Sequence, residues 1–178
     1  MMPSFEFDGY TLRPATEEDL PLARAWNAGD PDHVWEAGQE RYWIEQRAGV
    51  ESYLLEDALG PVFFFKVLRT REVAWAKPHA TETGHEIQEG LLLGAAVEVS
   101  IQFAPDGGAG QLRTMTALSR GFAWLEKRLS AVGVKAVYFN SKNLRMIRFA
   151  LIKLGFTEVE NDYEPAKMMG FRRFKKEL

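Results

Sequence analysis

The chain opens with an alternation of apolar and polar side chains and then changes to a helical spacing. Residues 10–14 read Tyr-Thr-Leu-Arg-Pro, and this two-residue period predicts a strand with one buried face. Thr16 then precedes three acidic residues, a pattern typical of an N-cap and the first turn of a helix. We predict that this helix begins near Glu17 and runs for about ten residues, with Leu20 and Ala23 in its apolar stripe.

The next segments predict a second helix and a β-hairpin. The helix is predicted at 34–48, where large side chains return at helical intervals. Its side chains on one side are Trp35, Gln39, Tyr42, Trp43 and Gln46. Two apolar segments, 52–55 and 62–68, flank the turn sequence Ala-Leu-Gly-Pro at 58–61 and predict the hairpin. Segment 71–94 has the least clear pattern, with a strand predicted at 73–77, a loop at 78–84, and a short helix or strand at 86–93.

Residues 95–103 predict a strand at the centre of the sheet. The alternation places Glu98, Ser100 and Gln102 on one face and four apolar side chains on the other. A glycine-rich turn at 107–110 follows this strand. Apolar residues three and four positions apart then predict a helix of about five turns: Leu112, Met115, Leu118, Phe122, Leu125 and Leu129.

The C-terminal third predicts two strands, a helix and a closing hairpin. Gly133 ends the long helix, and 134–139 reads as the next strand. A helix is predicted at 143–154. The segments 156–159 and 168–174 are predicted to pair as the final hairpin.

Composition restricts the classes of protein that fit. The 178 residues are predicted to form one domain, 1–178. The absence of cysteine excludes disulfides and a thiolate nucleophile. The formal charge of −3 argues against a nucleic-acid partner, and the basic residues Arg172, Arg173, Lys175 and Lys176 are interpreted as a solvated tail. No signal pattern or bilayer-length apolar run occurs, so we expect a cytoplasmic protein without a membrane partner.

The glycine turn is the first candidate for chemistry. A strand, a glycine turn and a long helix bring free backbone N–H groups and the positive end of the helix dipole together, which suits a pyrophosphate. Residues 107–112 supply those donors, and Arg113 adds a cation in the first helical turn. The alternative is a flexible loop that leads into a helix. A nicotinamide site lacks its third glycine, and a P-loop lacks Gly-Lys-Ser/Thr.

A further segment identifies a family. Residues 138–156, YFNSKNLRMIRFALIKLGF, predict a strand ending in Asn140, a polar turn, and a helix closing on Lys-Leu-Gly-Phe. With the opening segment 10–20, the central segment 98–105 and the glycine turn, this stretch resembles the GCN5-related N-acetyltransferase (GNAT) family over about residues 9–156. The resemblance implies the acyl-CoA N-acyltransferase fold, an α/β (α+β) architecture with a mixed, mostly antiparallel sheet flanked by helices.

The resemblance also implies two catalytic groups. Acetylation of an alkylamine with a pKa near ~10.4 needs a base that removes a proton, and Glu98 stands on the central strand seven residues before Pro105, where relatives carry a carboxylate base. The alternative is a strand carboxylate that faces solvent or pairs with arginine. Many relatives protonate the departing thiolate with a tyrosine, but here Ala150 or Leu151 occupies that place. The alternatives are that Tyr163 or Tyr138 substitutes, or that the thiolate leaves unassisted.

The coenzyme contacts follow from the same resemblance, in the opening between strands 95–103 and 135–139. Backbone N–H groups of the central strand would hold the thioester, namely those of Ile101, Gln102 and Phe103. The pyrophosphate would lie on Gly107, Gly108, Gly110, Gln111 and Arg113, although the leading Arg or Gln of the family's turn is missing. Asn140 and Asn143 match positions that contact coenzyme A or order the turn, with helix capping as the alternative for Asn143.

The sequence therefore predicts direct transfer of an acetyl group from acetyl-CoA to a primary amine of a small molecule or a protein. Two alternatives stay open: a catalytically silent member of the same fold, and an enzyme that uses another acyl-CoA donor. No metal is expected, because the histidines are few and scattered at 33, 79 and 85. The acceptor and the oligomeric state are open, with a homodimer as one option.

Overall fold

The computed structural model describes residues 3–30, 39–47, 49–68, 96–105, 111–161 and 164–178. Its strands are β1 (Phe5–Phe7), β2 (Tyr10–Pro14), β3 (Val50–Asp57), β4 (Gly60–Leu68), β5 (Ala96–Phe103), β6 (Ala136–Ser141), β7 (Thr157–Val159) and β8 (Arg172–Glu177). Its α-helices are α1 (Leu20–Ala28), α2 (Gln111–Ala131), α3 (Leu144–Phe149) and α4 (Glu164–Met168). Two 3₁₀ segments, Glu17–Asp19 and Gln39–Ile44, and one π-helical turn, Ala150–Leu154, complete the described elements.

The eight strands form one mixed sheet in the order β1-β2-β3-β4-β5-β6-β8-β7. Pairing is antiparallel between β1 and β2, β2 and β3, β6 and β8, and β7 and β8. The pairing of β5 with β6 is parallel and runs from Ala96↔Ala136 to Glu98↔Tyr138. The predicted mixed, mostly antiparallel sheet flanked by helices is confirmed.

The chain divides into two compact units, each built from two segments. The first unit contains residues 1–66 and 100–124, and the second contains 67–99 and 125–178. Two compact units do not show whether residues 1–178 fold together, so the prediction of one domain stays a prediction.

The core of the first unit forms where α1 packs on the sheet. Trp26 of α1 meets Phe64 of β4 edge to face, with ring centroids 5.4 Å apart. Trp43 and Leu54 are buried in the same cluster. The α1 helix is preceded by the 3₁₀ turn, in which the Asp19 carboxylate accepts a hydrogen bond of 2.8 Å from the backbone N–H of Thr16. The predicted helix start near Glu17 is therefore confirmed.

The core of the second unit centres on three aromatic rings. Phe139 of β6 stacks on Phe174 of β8 at 4.9 Å and meets Phe156 edge to face at 4.8 Å. The helix that follows β6 begins where Asn143 Oδ1 accepts hydrogen bonds from two backbone N–H groups at 3.1 Å. It ends at Gly155, whose φ of +77° favours glycine.

Four details of the sequence interpretation were wrong. The helix predicted to reach residue 48 ends at Ile44, because the chain turns and Arg47 bridges Val50 in antiparallel fashion. Leu112 is exposed, since the first turn of α2 precedes its buried stripe. The last strand begins at Arg172, because Met168 belongs to α4. The basic residues 172–176 therefore form a strand and not a solvated tail, while residues 31–38 and 69–95 lie outside the described ranges.

Candidate functional site

One face of β5 carries the alternating polar side chains that the sequence predicted. Glu98, Ser100 and Gln102 each contact a different polar neighbour. Glu98 belongs to the second unit, whereas Ser100 and Gln102 belong to the first. The three environments differ in burial and charge, and they suggest different tasks.

Glu98 lies in a buried polar cluster of the second unit. Its carboxylate is 1% exposed and its Oε1 accepts a hydrogen bond of 2.8 Å from Asn140 Nδ2. Arg173 Nη1 lies 3.4 Å from the same oxygen. Burial raises the pKa of the Glu98 carboxyl, and this effect exceeds the opposing influence of Arg173 and Asn140. Glu98 does not face solvent, and its contact with Arg173 matches the alternative of a strand carboxylate that pairs with arginine.

The second carboxylate oxygen of Glu98 is an acceptor with no partner. Oε2 is buried and has no hydrogen bond within the described residues, and the same holds for Asn140 Oδ1 and for Nε and Nη2 of Arg173. A buried acceptor without a partner is costly unless a donor arrives. Glu98 therefore retains capacity to accept a proton or a hydrogen bond.

Arg173 is the member of this cluster that sequence reasoning missed. It lies on β8 opposite Asn140 of β6, and its guanidinium carbon sits 4.9 Å from the ring centroid of Tyr138. The arginine is 3% exposed, because β8 is an interior strand with neighbours on both sides. Because four of the residues from 172 to 176 are basic, the segment was interpreted as a tail. In the strand β8, side chains alternate between faces, so Arg173 and Lys175 lie on the same face.

A second polar cluster lies in the first unit around Lys66. The Lys66 ammonium is fully buried and donates hydrogen bonds to the backbone oxygen of Tyr42 at 2.6 Å and to Glu45 Oε2 at 2.7 Å. It also sits 3.4 Å from the centroid of the Tyr42 ring. Burial lowers the pKa of Lys66 to about 8 against the opposing effect of Glu45. Tyr42 then reaches β5, with its hydroxyl 2.9 Å from Ser100 Oγ.

The predicted thioester residues on β5 are placed as follows. Gln102 is fully buried, and its side chain donates a hydrogen bond of 2.8 Å to Asp30 Oδ2. Ile101 and Phe103 are half-buried on the opposite face. Their contribution to coenzyme binding through backbone N–H groups stays a prediction.

The predicted phosphate residues fall partly inside the described ranges. Arg113 holds Asp57 with two hydrogen bonds of 2.6 Å and donates to Gly60 O at 2.9 Å, and these contacts lower the pKa of Asp57. Its phosphate contact stays a prediction. Gln111 begins α2, but its side chain is outside the description. The other predicted site residues outside the described ranges are Gly107, Gly108, Gly110 and Tyr163.

The two predicted asparagines have distinct places. Asn140 supports Glu98, and Asn143 caps the helix after β6. The capping alternative for Asn143 is confirmed. A coenzyme contact of either side chain stays a prediction.

Solved structures resemble this architecture. The aminoglycoside acetyltransferase AAC(6')-Ib in complex with coenzyme A has a TM-score of 0.62 and 17% identity, covering 94% of each chain. The GNAT domain of S. lividans PAT has a TM-score of 0.57 and 14% identity, covering 95% of this chain and 90% of that one. The chain has the GNAT fold.

A third structure with the GNAT fold, spermidine N-acetyltransferase from Vibrio cholerae in complex with CoA and spermine, has a TM-score of 0.56 and 13% identity over 96% of both chains. No family model matches the sequence, and no curated protein matches it significantly. Identities this low establish the fold and leave the reaction to be argued from the residues of this chain.

The described residues offer no candidate for a membrane span or a metal site. In the described ranges, no helix is both long and apolar enough to cross a bilayer. Over the same ranges, no three His, Cys, Asp or Glu side chains are grouped to hold a metal ion. The three histidines of the sequence, at positions 33, 79 and 85, lie outside those ranges.

Proposed function

We propose that the chain is an N-acetyltransferase that transfers an acetyl group from acetyl-CoA directly to a primary amine, with Glu98 as the general base. The observation that carries the proposal is the buried Glu98 carboxylate on β5, whose pKa is raised and whose Oε2 has no partner in the described residues. A raised pKa makes the carboxylate a stronger proton acceptor than an ordinary glutamate. The GNAT fold supports the acyl-CoA donor.

Each proton transferred and each bond made or broken in the proposed reaction can be assigned. Glu98 takes a proton from the bound ammonium, directly or through one water, and the neutral amine attacks the thioester carbonyl. A C–N bond forms, the attacking nitrogen loses its second proton to solvent, the carbon–sulfur bond breaks, and the thiolate takes up a proton. Backbone N–H groups at Ile101, Gln102 and Phe103 are proposed to hold the developing oxyanion. The pyrophosphate is proposed to lie along 107–113.

The acceptor is proposed to be an amine of a small molecule or of a protein. The aminoglycoside and spermidine acetyltransferases of the same fold support this class, but they do not choose within it. Three probes cover the range: spermine, an aminoglycoside, and a lysine-containing peptide.

The first test is coenzyme binding. Acetyl-CoA at a hundredfold excess over its dissociation constant should stabilise the fold by ~2.7 kcal/mol. The measurements are thermal melting and calorimetric titration. Absence of both a melting shift and heat at millimolar acetyl-CoA contradicts the proposal.

The second test joins Glu98 to the chemical step. Glu98→Gln keeps the shape and the hydrogen bond from Asn140 but accepts no proton, so turnover should fall by about 10² to 10⁴ with coenzyme affinity nearly unchanged. Glu56→Gln is the matched control, because Glu56 is also a strand carboxylate paired with an arginine. The assay is thiol release from pH 6 to 10 with the three amine probes.

Raising the pH should partly rescue Glu98→Gln, because more of the amine is already neutral. Equal turnover of Glu98→Gln and the parent at pH 7 would remove the base assignment. Coenzyme binding without acetylation of any probe would favour the catalytically silent alternative.

A further inference from the structure

The Tyr42 hydroxyl lies 2.9 Å from Ser100 Oγ, on the face of β5 that carries Glu98, Ser100 and Gln102. Ser100 follows Glu98 by two residues, so both side chains leave the strand on the same face, about 7 Å apart along it. Sequence reasoning placed Tyr42 only on one side of a helix. The structure gives its phenol a defined partner on the strand where the thioester is proposed to bind.

Lys66 holds Tyr42 from two directions. Its ammonium donates to the backbone oxygen of Tyr42 at 2.6 Å and lies 3.4 Å from the ring centroid. Glu45 Oε2 accepts from the same ammonium at 2.7 Å. A lysine this deeply buried is rare without a partner, and burial of the charge has a large desolvation cost. The arrangement fixes both the position and the electrostatic surroundings of one phenol.

Cleavage of a thioester needs a proton for the departing sulfur. The positions that the GNAT resemblance assigns to a proton-donating tyrosine carry Ala150 and Leu151, which have no acidic proton. Tyr138 lies among cations of the second unit, with Arg173 and Lys175 at its ring. Among the described tyrosines, Tyr42 contacts β5 through its hydroxyl, whereas Tyr163 lies outside the described ranges.

We propose that Tyr42 is the catalytic general acid that protonates the coenzyme thiolate, and that Lys66 is the positioning residue that holds it. This inference rests on the proposed acetyl transfer. As the carbon–sulfur bond breaks, the Tyr42 O–H bond gives its proton to sulfur, and the phenolate regains a proton from solvent. The net change is an ammonium and acetyl-CoA giving an amide, the free thiol and one proton.

Lys66 suits the charge that this step creates. A cation over an aromatic face is attracted by the ring, and more strongly once the ring carries a negative charge. Since burial lowers the pKa of Lys66 to about 8, the side chain is mostly ammonium at pH 7. The charged groups around it are Glu45 and Arg47, and they stay ionised at neutral pH.

The test compares Tyr42→Phe with Tyr53→Phe. The first variant keeps the ring and the Lys66 contact but loses the hydroxyl, while the second removes a hydroxyl that donates to Glu51. With acetyl-CoA and the fastest of the three amine probes, turnover of Tyr42→Phe should fall at least tenfold at unchanged coenzyme affinity. Tyr53→Phe should retain turnover within about twofold of the parent.

An activated donor separates proton donation from positioning. An acetyl aryl thioester releases a thiolate that needs no proton, so the deficit of Tyr42→Phe in kcat/KM should shrink to about threefold or less with this donor. An equal deficit with both donors would overturn the proposal in favour of a structural role. Parent-like turnover of Tyr42→Phe with acetyl-CoA would also overturn it, while leaving the acetyltransferase proposal intact.

Two further measurements complete the design. Ser100→Ala keeps Tyr42 but removes its partner on β5, and a severalfold loss of turnover with partial recovery on the aryl thioester supports the assignment even if Tyr42→Phe does not fold. Failure of the parent itself to release thiol with any probe, measured beside acetyl-CoA binding, overturns the proposed function and this inference together.

Discussion

The buried Lys66 ammonium predicts that stability rises with pH in a range where most proteins lose it. The pKa of Lys66 is lowered from 10.5 to about 8 in the folded chain. Between these values the unfolded chain binds more protons than the folded one, so the free energy of unfolding increases with pH. Below about pH 8 the side chain is charged in both states, and the fold carries the full cost of burying the charge.

The size of the effect follows from the two pKa values. Lowering the pKa from 10.5 to about 8 corresponds to about 3 kcal/mol in total. Between pH 7 and pH 10 most of this amount, about 2–3 kcal/mol, should be recovered. This recovery is large beside a typical stability of about 5–15 kcal/mol.

The assay is urea unfolding of the parent and of Lys66→Met at pH 7, 8, 9 and 10. Taking the difference between the two proteins cancels the titration of the other lysines and tyrosines. Glu45 contributes a constant amount, because hydrogen bonds from Lys66 and Arg47 outweigh burial and hold its pKa below the usual range. The difference should move in favour of the parent by about 2–3 kcal/mol. A difference that stays flat within about 0.5 kcal/mol would show that Lys66 titrates normally in the fold.

Three further predictions concern the packing and the charges of the described residues. Arg173→Met should raise the pKa of Glu98 further, because Arg173 opposes the effect of burial on that pKa. The acid limb of the plot of turnover against pH should therefore move to higher pH. Arg172→Met is the control and should leave that limb in place, since Arg172 pairs with the exposed Glu158. Gly133→Ala should lower the free energy of unfolding by about 1–2 kcal/mol, because the φ of Gly133 is +87°. Gly121→Ala should raise the free energy of unfolding by about 0.5–1 kcal/mol, since the new Cβ meets Phe63 at 3.9 Å, an ordinary contact distance. Equal effects of the two substitutions in chemical denaturation would contradict the backbone argument. Phe64→Ala should lower the free energy of unfolding by about 3–5 kcal/mol through the cavity left beside Trp26, and a loss below 1 kcal/mol would show that this core collapses around the gap.

Elements in which apolar residues recur every two to four positions could be predicted from the sequence. The alternation around Glu98, the hairpin after Val50 and the stripe from Leu118 to Leu129 each depend on neighbours two to four positions apart. The prediction that Leu112 belongs to the buried stripe was wrong, because the helical period does not show which end of a helix extends past the surface that it packs on. The N-cap at Asn143 was one of two alternatives, and only coordinates show which donors its side chain meets.

The charged partners could not be predicted, because residues far apart in the sequence come together only in the folded chain. Arg173 reaches Glu98 across 75 residues of sequence, and Lys66 reaches Glu45 across 21. One strand shifted by a single residue would turn Arg173 to the other face. The pKa of Glu98, and with it the case for a base, depends on that register.

The two ends of the strand order have a consequence for self-association. The outermost of the eight described strands, β1 and β7, have only three residues each, and each carries a glutamate at its centre, Glu6 and Glu158. A short charged edge presents few unpaired backbone groups to another molecule, so edge-to-edge growth toward aggregates is disfavoured. The long apolar strands such as β4, with its three consecutive phenylalanines, are thereby kept in the interior of the sheet, where no second chain can add to them.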